Sequence, residues 1–339
     1  MGLFSLTQEL SMDLGTANTI IMMNGKIVVN EPSIVALDNR TDKMIAVGNR
    51  AKQMYEKTNK DIRVIRPLRN GVIADFDACE KMMRGLIKMV DQGRRFFSPS
   101  LKMVIGVPSG STEVELRAVR DSAEHAGGRD VYMLFEPMAA AMGIGIDVLA
   151  PEGNMIVDIG GGTTEIAVIS LGGLVSNNSV KVAGDDFTAD IQDYMGRQHN
   201  VKVSERMAER IKINVGAALT ELDDAPEDYI VSGPNKITAL PMSIPVCYQE
   251  ISHCLDHSIA KIETAVLNAL ENTPPELYAD ILKRGIFLSG GGSMLRGIDK
   301  RLTDKIGIPF HVAENPLLSV AKGTGIALKN VERFSFLMR

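Results

Sequence analysis

Asp13-Leu14-Gly15-Thr16-Ala17-Asn18 and Asp158-Ile159-Gly160-Gly161-Gly162-Thr163-Thr164 each put a carboxylate, a glycine turn and a hydroxyl into one short run. Amides that converge on a phosphate need a backbone unshielded by side chains, which glycine supplies. Both runs follow apolar stretches that read as strands, so each offers N–H groups at a hairpin tip. Two such tips facing each other could clamp a phosphate chain from both sides, with Thr16 and Thr163 adding hydroxyls. Gly15 alone is equally an ordinary tight turn. Three consecutive glycines between an Asp-ending strand and two threonines ask for more than a turn. A third run, Ser289-Gly290-Gly291-Gly292-Ser293, ends another apolar strand and reads as the start of a helix able to meet a phosphate or an adenosine.

Phosphoryl transfer to water needs a metal against the phosphates and a residue that orients the attacking water. Asp13 and Asp158 end matching strands, where carboxylates could hold magnesium through its water shell. Glu136 opens a helix straight after an apolar strand. On local sequence alone it is first a residue that complements the helix dipole. Glu165 could approach the same water site or be an ordinary hairpin residue. Glu209 and Lys212 stand three apart and can pair on one helix face. No Walker A run is present, which excludes a P-loop, and no Gly-x-Gly-x-x-Gly follows the first strand, which argues against a Rossmann site.

The elements that must position these residues come in two rounds. Leu10–Leu14 and Thr19–Met23 read as a hairpin, with Asn24-Gly25 turning the chain into a further strand at Lys26–Val29. Helical spacing follows over 78–91, then a strand over 103–107, a helix over 112–126 with Thr112 and Glu115 as a capping box, a strand over 131–135 and a helix over 136–146. The second round restarts at Met155–Asp158, with strands through Val182, helices over 186–199, 204–215 and 248–270, and a helix after Thr273-Pro274-Pro275-Glu276 that reads as Thr cap, Pro at N1 and Glu at N3. A last helix spans 317–330. Strands alternating with helices imply partly parallel sheets covered on both faces, and the repeat implies two related halves.

Composition agrees. At 339 residues two domains are the default, and 45% apolar with 23% charged residues suits a globular chain. A net charge of −5 gives no global field for nucleic acid, so no nucleic-acid partner is expected. Three cysteines without metal-ligand spacing read as reduced thiols, the first residues lack a secretory pattern, and the most apolar stretch is too short to span a bilayer. A cytoplasmic protein is expected.

The two Asp-glycine runs resemble the phosphate motifs of the actin, Hsp70 and sugar-kinase superfamily. Asn30-Glu31-Pro32-Ser33, Arg66-Pro67-Leu68-Arg69-Asn70-Gly71-Val72-Ile73-Ala74-Asp75, Glu136-Pro137-Met138-Ala139-Ala140-Ala141, Thr273-Pro274-Pro275-Glu276-Leu277 and Gly285–Gly292 are similar to the MreB family of bacterial actins. The resemblance covers nearly the whole chain. It implies an α/β, actin-like ATPase fold of two RNase H-like domains, each with a smaller inserted subdomain and the nucleotide in the cleft between them. Halves are expected at 1–147 and 148–339, with insertions about 33–75 and 184–250. It implies ATP or ADP with Mg2+, Asp13 on the metal side with Asp158 as its partner, and Glu136 polarising the attacking water. It makes Gly15, Thr16, Ala17, Asn18, Gly160, Gly161, Gly162 and Thr163 the phosphate clamp. Glu209, Arg210, Ile211 and Lys212, with Ser289, Gly290, Gly291 and Gly292, become the adenosine side.

The same resemblance implies slow, assembly-coupled hydrolysis, self-assembly into double protofilaments, cell-wall elongation membrane proteins as partners, and a role in rod shape at the inner face of the cell membrane. Gln92-Gly93-Arg94-Arg95-Phe96-Phe97 sets two aromatics beside two arginines in a loop. The phenylalanines suit either the adjacent core or an anionic bilayer, and family members carry a hydrophobic pair in a similar loop. Two other functions of the superfamily compete. A small-molecule kinase needs a catalytic Asp and a substrate pocket that Glu136-Pro137-Met138 matches poorly, and an Hsp70-type chaperone needs a peptide-binding domain for which the sequence to Arg339 leaves no room.

Overall fold

Each Asp-glycine run lies at the end of a central strand in its own five-stranded sheet. The computed structural model describes residues 7–90 and 100–339. The first round comprises β1 (Thr7–Leu14), β2 (Asn18–Met23), β3 (Lys26–Pro32), β4 (Val35–Asp38), β5 (Met44–Val47), α1 (Asn49–Met54), β6 (Ile62–Ile65), β7 (Leu68–Arg69), β8 (Val72–Ile73), α2 (Phe76–Val90), β9 (Ser100–Val107), α3 (Glu113–His125), β10 (Gly128–Phe135) and α4 (Glu136–Gly143). The second comprises β11 (Asn154–Ile159), β12 (Thr164–Ser170), β13 (Gly173–Val180), α5 (Gly184–Gln198), α6 (Glu205–Val215), β14 (Tyr229–Pro234), β15 (Pro241–Val246), α7 (Tyr248–Glu271), α8 (Pro275–Arg284), β16 (Ile286–Ser289), α9 (Ile298–Ile306), β17 (Phe310–Val312) and α10 (Ser319–Lys329).

The first sheet runs β10-β9-β1-β2-β3 and the second β13-β12-β11-β16-β17. In both, the Asp-bearing strand is antiparallel to its hairpin partner and parallel to the strand on its other side. Asp13 thus faces Ile20 and Gly106, and Asp158 faces Glu165 and Ser289. The central strands are buried on both faces, which is why they read as near-continuous apolar runs. Three-stranded β5-β4-β6 and the β14–β15 hairpin stand apart from the main sheets.

Two apolar cores flank this arrangement, one built on α2, α3 and the first sheet, the other on α5, α6, α7 and the second. A third joins the halves: Val104 and Leu134 from one sheet and Ile156, Ala167 and Ile169 from the other close around α4 and α10. These two helices touch backbone to backbone. A Cβ on Gly143 would fall 1.8 Å from the Ser319 carbonyl oxygen, and one on Gly323 would fall 1.8 Å from that of Ala139. Small residues are obligatory at this crossing, and the Glu136-Pro137-Met138-Ala139-Ala140-Ala141 run is the sequence of one of its sides.

The Thr112 capping box forms as expected, with the Thr112 hydroxyl accepting from the Glu115 amide. Several boundaries differ from expectation, and the strands expected over 103–107 and 131–135 begin at Ser100 and Gly128. The helix that opens at Glu136 stops at Gly143, because the chain turns out through Gly145 at φ 91°. Thr273 is not a cap: its hydroxyl donates back to the Ala269 carbonyl, and Pro274 holds the N-cap position of α8. The third glycine run forms a single 3₁₀ turn over Gly291–Met294, and the following α-helix waits until Ile298. Among the described residues no helix is long and apolar enough to cross a membrane.

Candidate active site

The two hairpin tips meet. A Cβ on Gly161 would stand 2.8 Å from the Ala17 Cβ, and one on Gly162 would stand 2.8 Å from the Thr16 hydroxyl and 2.9 Å from the Asn70 backbone. Only a bare backbone lets the turns approach this closely. The first turn is buttressed from behind, where Ser33 donates to the Gly15 carbonyl and its amide donates to that of Ala17. Thr16 accepts from the Gly71 amide at 3.0 Å, so the loop after β7 closes one side. The second turn is tied to α5, whose Gly184 and Asp185 amides donate to the Gly160 and Gly161 carbonyls at 3.1 and 2.7 Å.

The third turn packs beneath the second. Gly290 takes φ 80°, a left-handed conformation that glycine adopts without a steric penalty. A Cβ there would also lie 2.3 Å from the Ile159 carbonyl and 2.7 Å from the Asp158 carboxylate. All three glycine turns therefore converge on the end of β11. Asn18 is exposed beside this junction and Thr163 is buried in it.

Four carboxylates lie under the turns. Asp13 and Glu136 keep some surface open, while Asp158 and Glu165 are buried. Burial first, and then the charge of Asp158, push the Asp13 carboxyl up to about 7. Burial also pushes Asp158 up to about 6, with the Ser289 hydroxyl, donating at 2.6 Å, pulling it back and the Glu165 charge raising it. Glu136 is raised well above the usual carboxylate range by burial, then by Glu165, Asp13 and Asp158. Glu165 is fully engaged: the Ser109 amide and hydroxyl donate to one oxygen, and Ser179 donates to the other at 2.6 Å. The raised carboxyls of Asp13, Asp158 and Glu136 are a donor set that favours a cation. No three metal-ligating side chains among the described residues are grouped to hold an ion directly. The set fits a divalent ion held chiefly through water and ligand oxygens, with Asp13 and Asp158 beside it.

Glu209 and Lys212 sit together on α6, 2.7 Å apart, facing α5. Lys212 donates to the Gly184 carbonyl at 2.7 Å and the Thr188 hydroxyl at 3.0 Å, and Thr188 donates to Glu209 at 2.6 Å. The other two residues of that tetrad part from them. Arg210 is exposed, and Ile211 is buried in the core of the second half, so its side chain is not at the site.

A sequence model of the MreB/Mbl protein family matches residues 7–335. The chain belongs to the MreB/Mbl family.

Relatives agree with this along nearly the chain's whole length. The MreB/Mbl chain is 45% identical to the cell shape-determining protein MreB of Escherichia coli (strain K12) over 338 residues, 98% of this chain and 95% of that one. It is 43% identical to the cell shape-determining protein Mbl of Bacillus subtilis (strain 168) over 327 residues, 96% of this chain and 97% of that one. Its structure matches that of MreB5 of Spiroplasma citri bound to AMPPNP with a TM-score of 0.90 and 36% identity, over 97% of this chain and 98% of that one. A likeness to the MamK double helical filament, with a TM-score of 0.76 and 20% identity, shows the shared actin-like fold.

Within this MreB/Mbl chain, Asp13, Gly15, Thr16, Ala17, Asn18, Glu136, Asp158, Gly160, Gly161, Gly162, Thr163, Ser289, Gly290, Gly291 and Gly292 come together, with Glu209 and Lys212 beside α5. Arg94, Arg95, Phe96 and Phe97 lie outside the described residues. Two sets of partners carry no motif: the Ser109–Ser179 pair on Glu165, and Thr188, between Glu209 and Lys212. Asn70, which packs on Gly162, lies within the Arg66–Asp75 run, where Asn70-Gly71 marks a turn.

Proposed function

We propose that this chain is a cytoskeletal ATPase that binds ATP with magnesium between its two halves, hydrolyses it to ADP and phosphate, and assembles with copies of itself. The observation that carries the reading is the contact of the Gly15–Asn18 and Gly160–Thr163 turns above the four carboxylates. Nucleotide-bound MreB5 structures of the same fold, with AMPPNP and with ADP, support it. The amides of both turns bind phosphate oxygens, and the Thr16 and Thr163 hydroxyls add to them. Glu209 and Lys212 bind on the adenosine side, with the Gly290–Gly292 turn opposite. The bound magnesium ion supplies charge neutralisation on the phosphates and lowers the proton affinity of the carboxylates around it. Asp13 and Asp158 orient its water shell. Glu136 orients the attacking water and accepts its proton.

We extend this reading to the halves at 1–147 and 148–339 as the moving bodies, to double protofilaments, and to a cytoplasmic position at the inner face of the membrane. There Arg94, Arg95, Phe96 and Phe97 meet the anionic surface, next to the membrane proteins of cell-wall elongation. The names of the relatives, cell shape-determining proteins, support a role in rod shape.

Pelleting with ATP and magnesium, with electron microscopy of the pellet, tests the assembly. Filaments are expected, and their absence across ATP, ADP and a non-hydrolysable analogue, with and without anionic vesicles, refutes it. Glu136→Ala is expected to bind nucleotide like the parent but to release phosphate at least ~100-fold more slowly, in line with loss of a general base. Unchanged turnover removes Glu136 from this role.

A further inference from the structure

One arginine bridges the two halves away from the glycine turns. Arg66, directly after β6, places one guanidinium nitrogen 2.6 Å from Glu205 and the other 2.7 Å from Asp185. Tyr55, which follows α1, donates its hydroxyl to the second Glu205 oxygen at 3.0 Å. The Glu205 amide, at the start of α6, donates to the Glu56 carboxylate at 3.3 Å. Tyr55, Glu56 and Arg66 lie in or beside the β4–β6 unit of the first half, and Asp185 and Glu205 open α5 and α6 of the second. The sequence separation of these contacts, from 119 to 150 residues, shows that they tie together parts of the chain that nothing local holds in place.

The second-half partners are not passive surface groups. Asp185 is the residue whose amide donates to the Gly161 carbonyl in the second phosphate turn. Its neighbour Gly184 receives Lys212, and Lys212 lies on the same helix as Glu205. An unbroken chain of contacts therefore runs from Tyr55 and Arg66, through Asp185 and Glu205, to the turn and to the Glu209–Lys212 pair. Separating the halves on this side requires Arg66 to leave both carboxylates. It would also leave Glu56, Asp185 and Glu205 with less cationic charge between them.

We infer that Arg66, with Tyr55, forms a latch across the two halves that holds the site closed and sets how fast nucleotide leaves. This rests on the nucleotide reading above. The forked geometry sets this contact apart from an ordinary exposed pair: Arg66 is 22% exposed and serves two carboxylates at once. A single exposed pair is worth less than about fivefold in an equilibrium. Two charge-assisted contacts on one planar guanidinium, together with carboxylate repulsion on its removal, raise the expected effect to about tenfold.

The test is release of a fluorescent ADP from the full chain, chased with excess unlabelled ATP. Arg66→Ala is expected to release about tenfold faster than the parent, and Tyr55→Phe two- to threefold faster. Raising salt should speed release from the parent more than from Arg66→Ala. The charge exchange of Arg66→Glu with Glu205→Arg should be slower to release than Arg66→Glu alone. Release from Arg66→Ala within twofold of the parent, with no difference in salt response, overturns the latch while leaving nucleotide binding intact. Should Arg66→Ala fail to fold, an unchanged rate in Tyr55→Phe together with salt-independent release from the parent overturns it equally. A parent that binds no labelled nucleotide overturns both the latch and the reading beneath it.

Discussion

Gly162→Ala is the sharpest perturbation of the proposed clamp. The added methyl would lie 2.8 Å from the Thr16 hydroxyl and 2.9 Å from both the Asn70 Cα and its amide nitrogen. Ordinary carbon contacts fall at about 3.5–4.0 Å, so the tips must part by roughly 0.7 Å. Thr16 is held by the Gly71 amide and Asn70 is met at its backbone, so no single flexible side chain can swing aside. Gly162 itself is not in the left-handed region, so the effect is steric and free of backbone strain. Overpacking of this kind costs about 1–3 kcal/mol. Because the cost falls on the closed arrangement of the turns, it should appear as about 5- to 150-fold weaker nucleotide binding. Titration with a fluorescent ATP analogue measures it, and a thermal melt without nucleotide checks the fold. Gly173→Ala, whose methyl would meet nothing nearer than 3.7 Å, is the control and should bind like the parent. Binding by a well-folded Gly162→Ala within twofold of the parent would falsify the proposal that closed turns make the clamp.

The remaining predictions concern charge and surface. Asp13 rises from its ordinary 3.8 to about 7 in the folded chain, which is worth about 4 kcal/mol between its two protonation states. The folded state then binds a proton that the unfolded state has lost, so this stability is present below about pH 4 and is gone once the pH passes 7. Asp13→Asn should therefore melt at the parent's temperature near pH 4 but several degrees higher near pH 8, in nucleotide-free protein. Equal melting across that range refutes the shift. Ser289→Ala removes a hydrogen bond to the Asp158 carboxylate, a contact worth about 1.5–3 kcal/mol, and should move the acid limb of magnesium–nucleotide binding upward by about one pH unit or more. An unmoved limb shows that Asp158 does not govern it. Phe96→Ser with Phe97→Ser should reduce flotation with anionic vesicles by at least ~10-fold while leaving nucleotide binding as it was. Unchanged flotation removes that pair from the membrane surface.

Much of the scaffold was legible because its signals are local. The strands carrying Asp13 and Asp158 are buried on both faces and read as apolar runs, and glycine at their ends marks the turns. The third turn was legible as a turn, but not its place beneath Asp158, since strand order in a sheet is a tertiary fact. The side chains of Glu209-Arg210-Ile211-Lys212 do not share one face, for a geometric reason. Successive residues on a helix point about 100° apart, so Glu209 and Lys212 share the face toward α5 while Ile211 turns into the core. Thr273 reads as a cap by its type, but its hydroxyl, one turn after Ala269 at the end of α7, has the Ala269 carbonyl within reach and bonds there instead. Ser109 and Ser179 were illegible because their partners lie far away in sequence and common residue types announce nothing; Arg66 stands in a run that carries the resemblance, but its partners, 139 and 119 residues on, do not show there.

The repeat in the sequence predicts two equivalent aspartates, and the sheets show why they need not act alike. Asp13 and Asp158 occupy matching positions, each beside a hairpin partner and a parallel strand. Asp158 faces Glu165 and Ser289 there, whereas Asp13 faces Ile20 and Gly106. Ser289 donates to Asp158 and restrains its rise to about 6, while Asp13, with a glycine in the corresponding place, goes to about 7. The missing side chain at Gly106 has a second consequence. A Cβ there would stand 3.0 Å from the Val320 Cγ1, so the bare strand lets α10 pack closely against it. One half thus contributes an anchored carboxylate and a buried, fully satisfied Glu165; the other contributes a proton-retaining Asp13 and Glu136. Duplication supplies matching positions for the two aspartates. Two differences on the strands flanking them, Ile20 against Glu165 and Gly106 against Ser289, give the two carboxylates unlike surroundings.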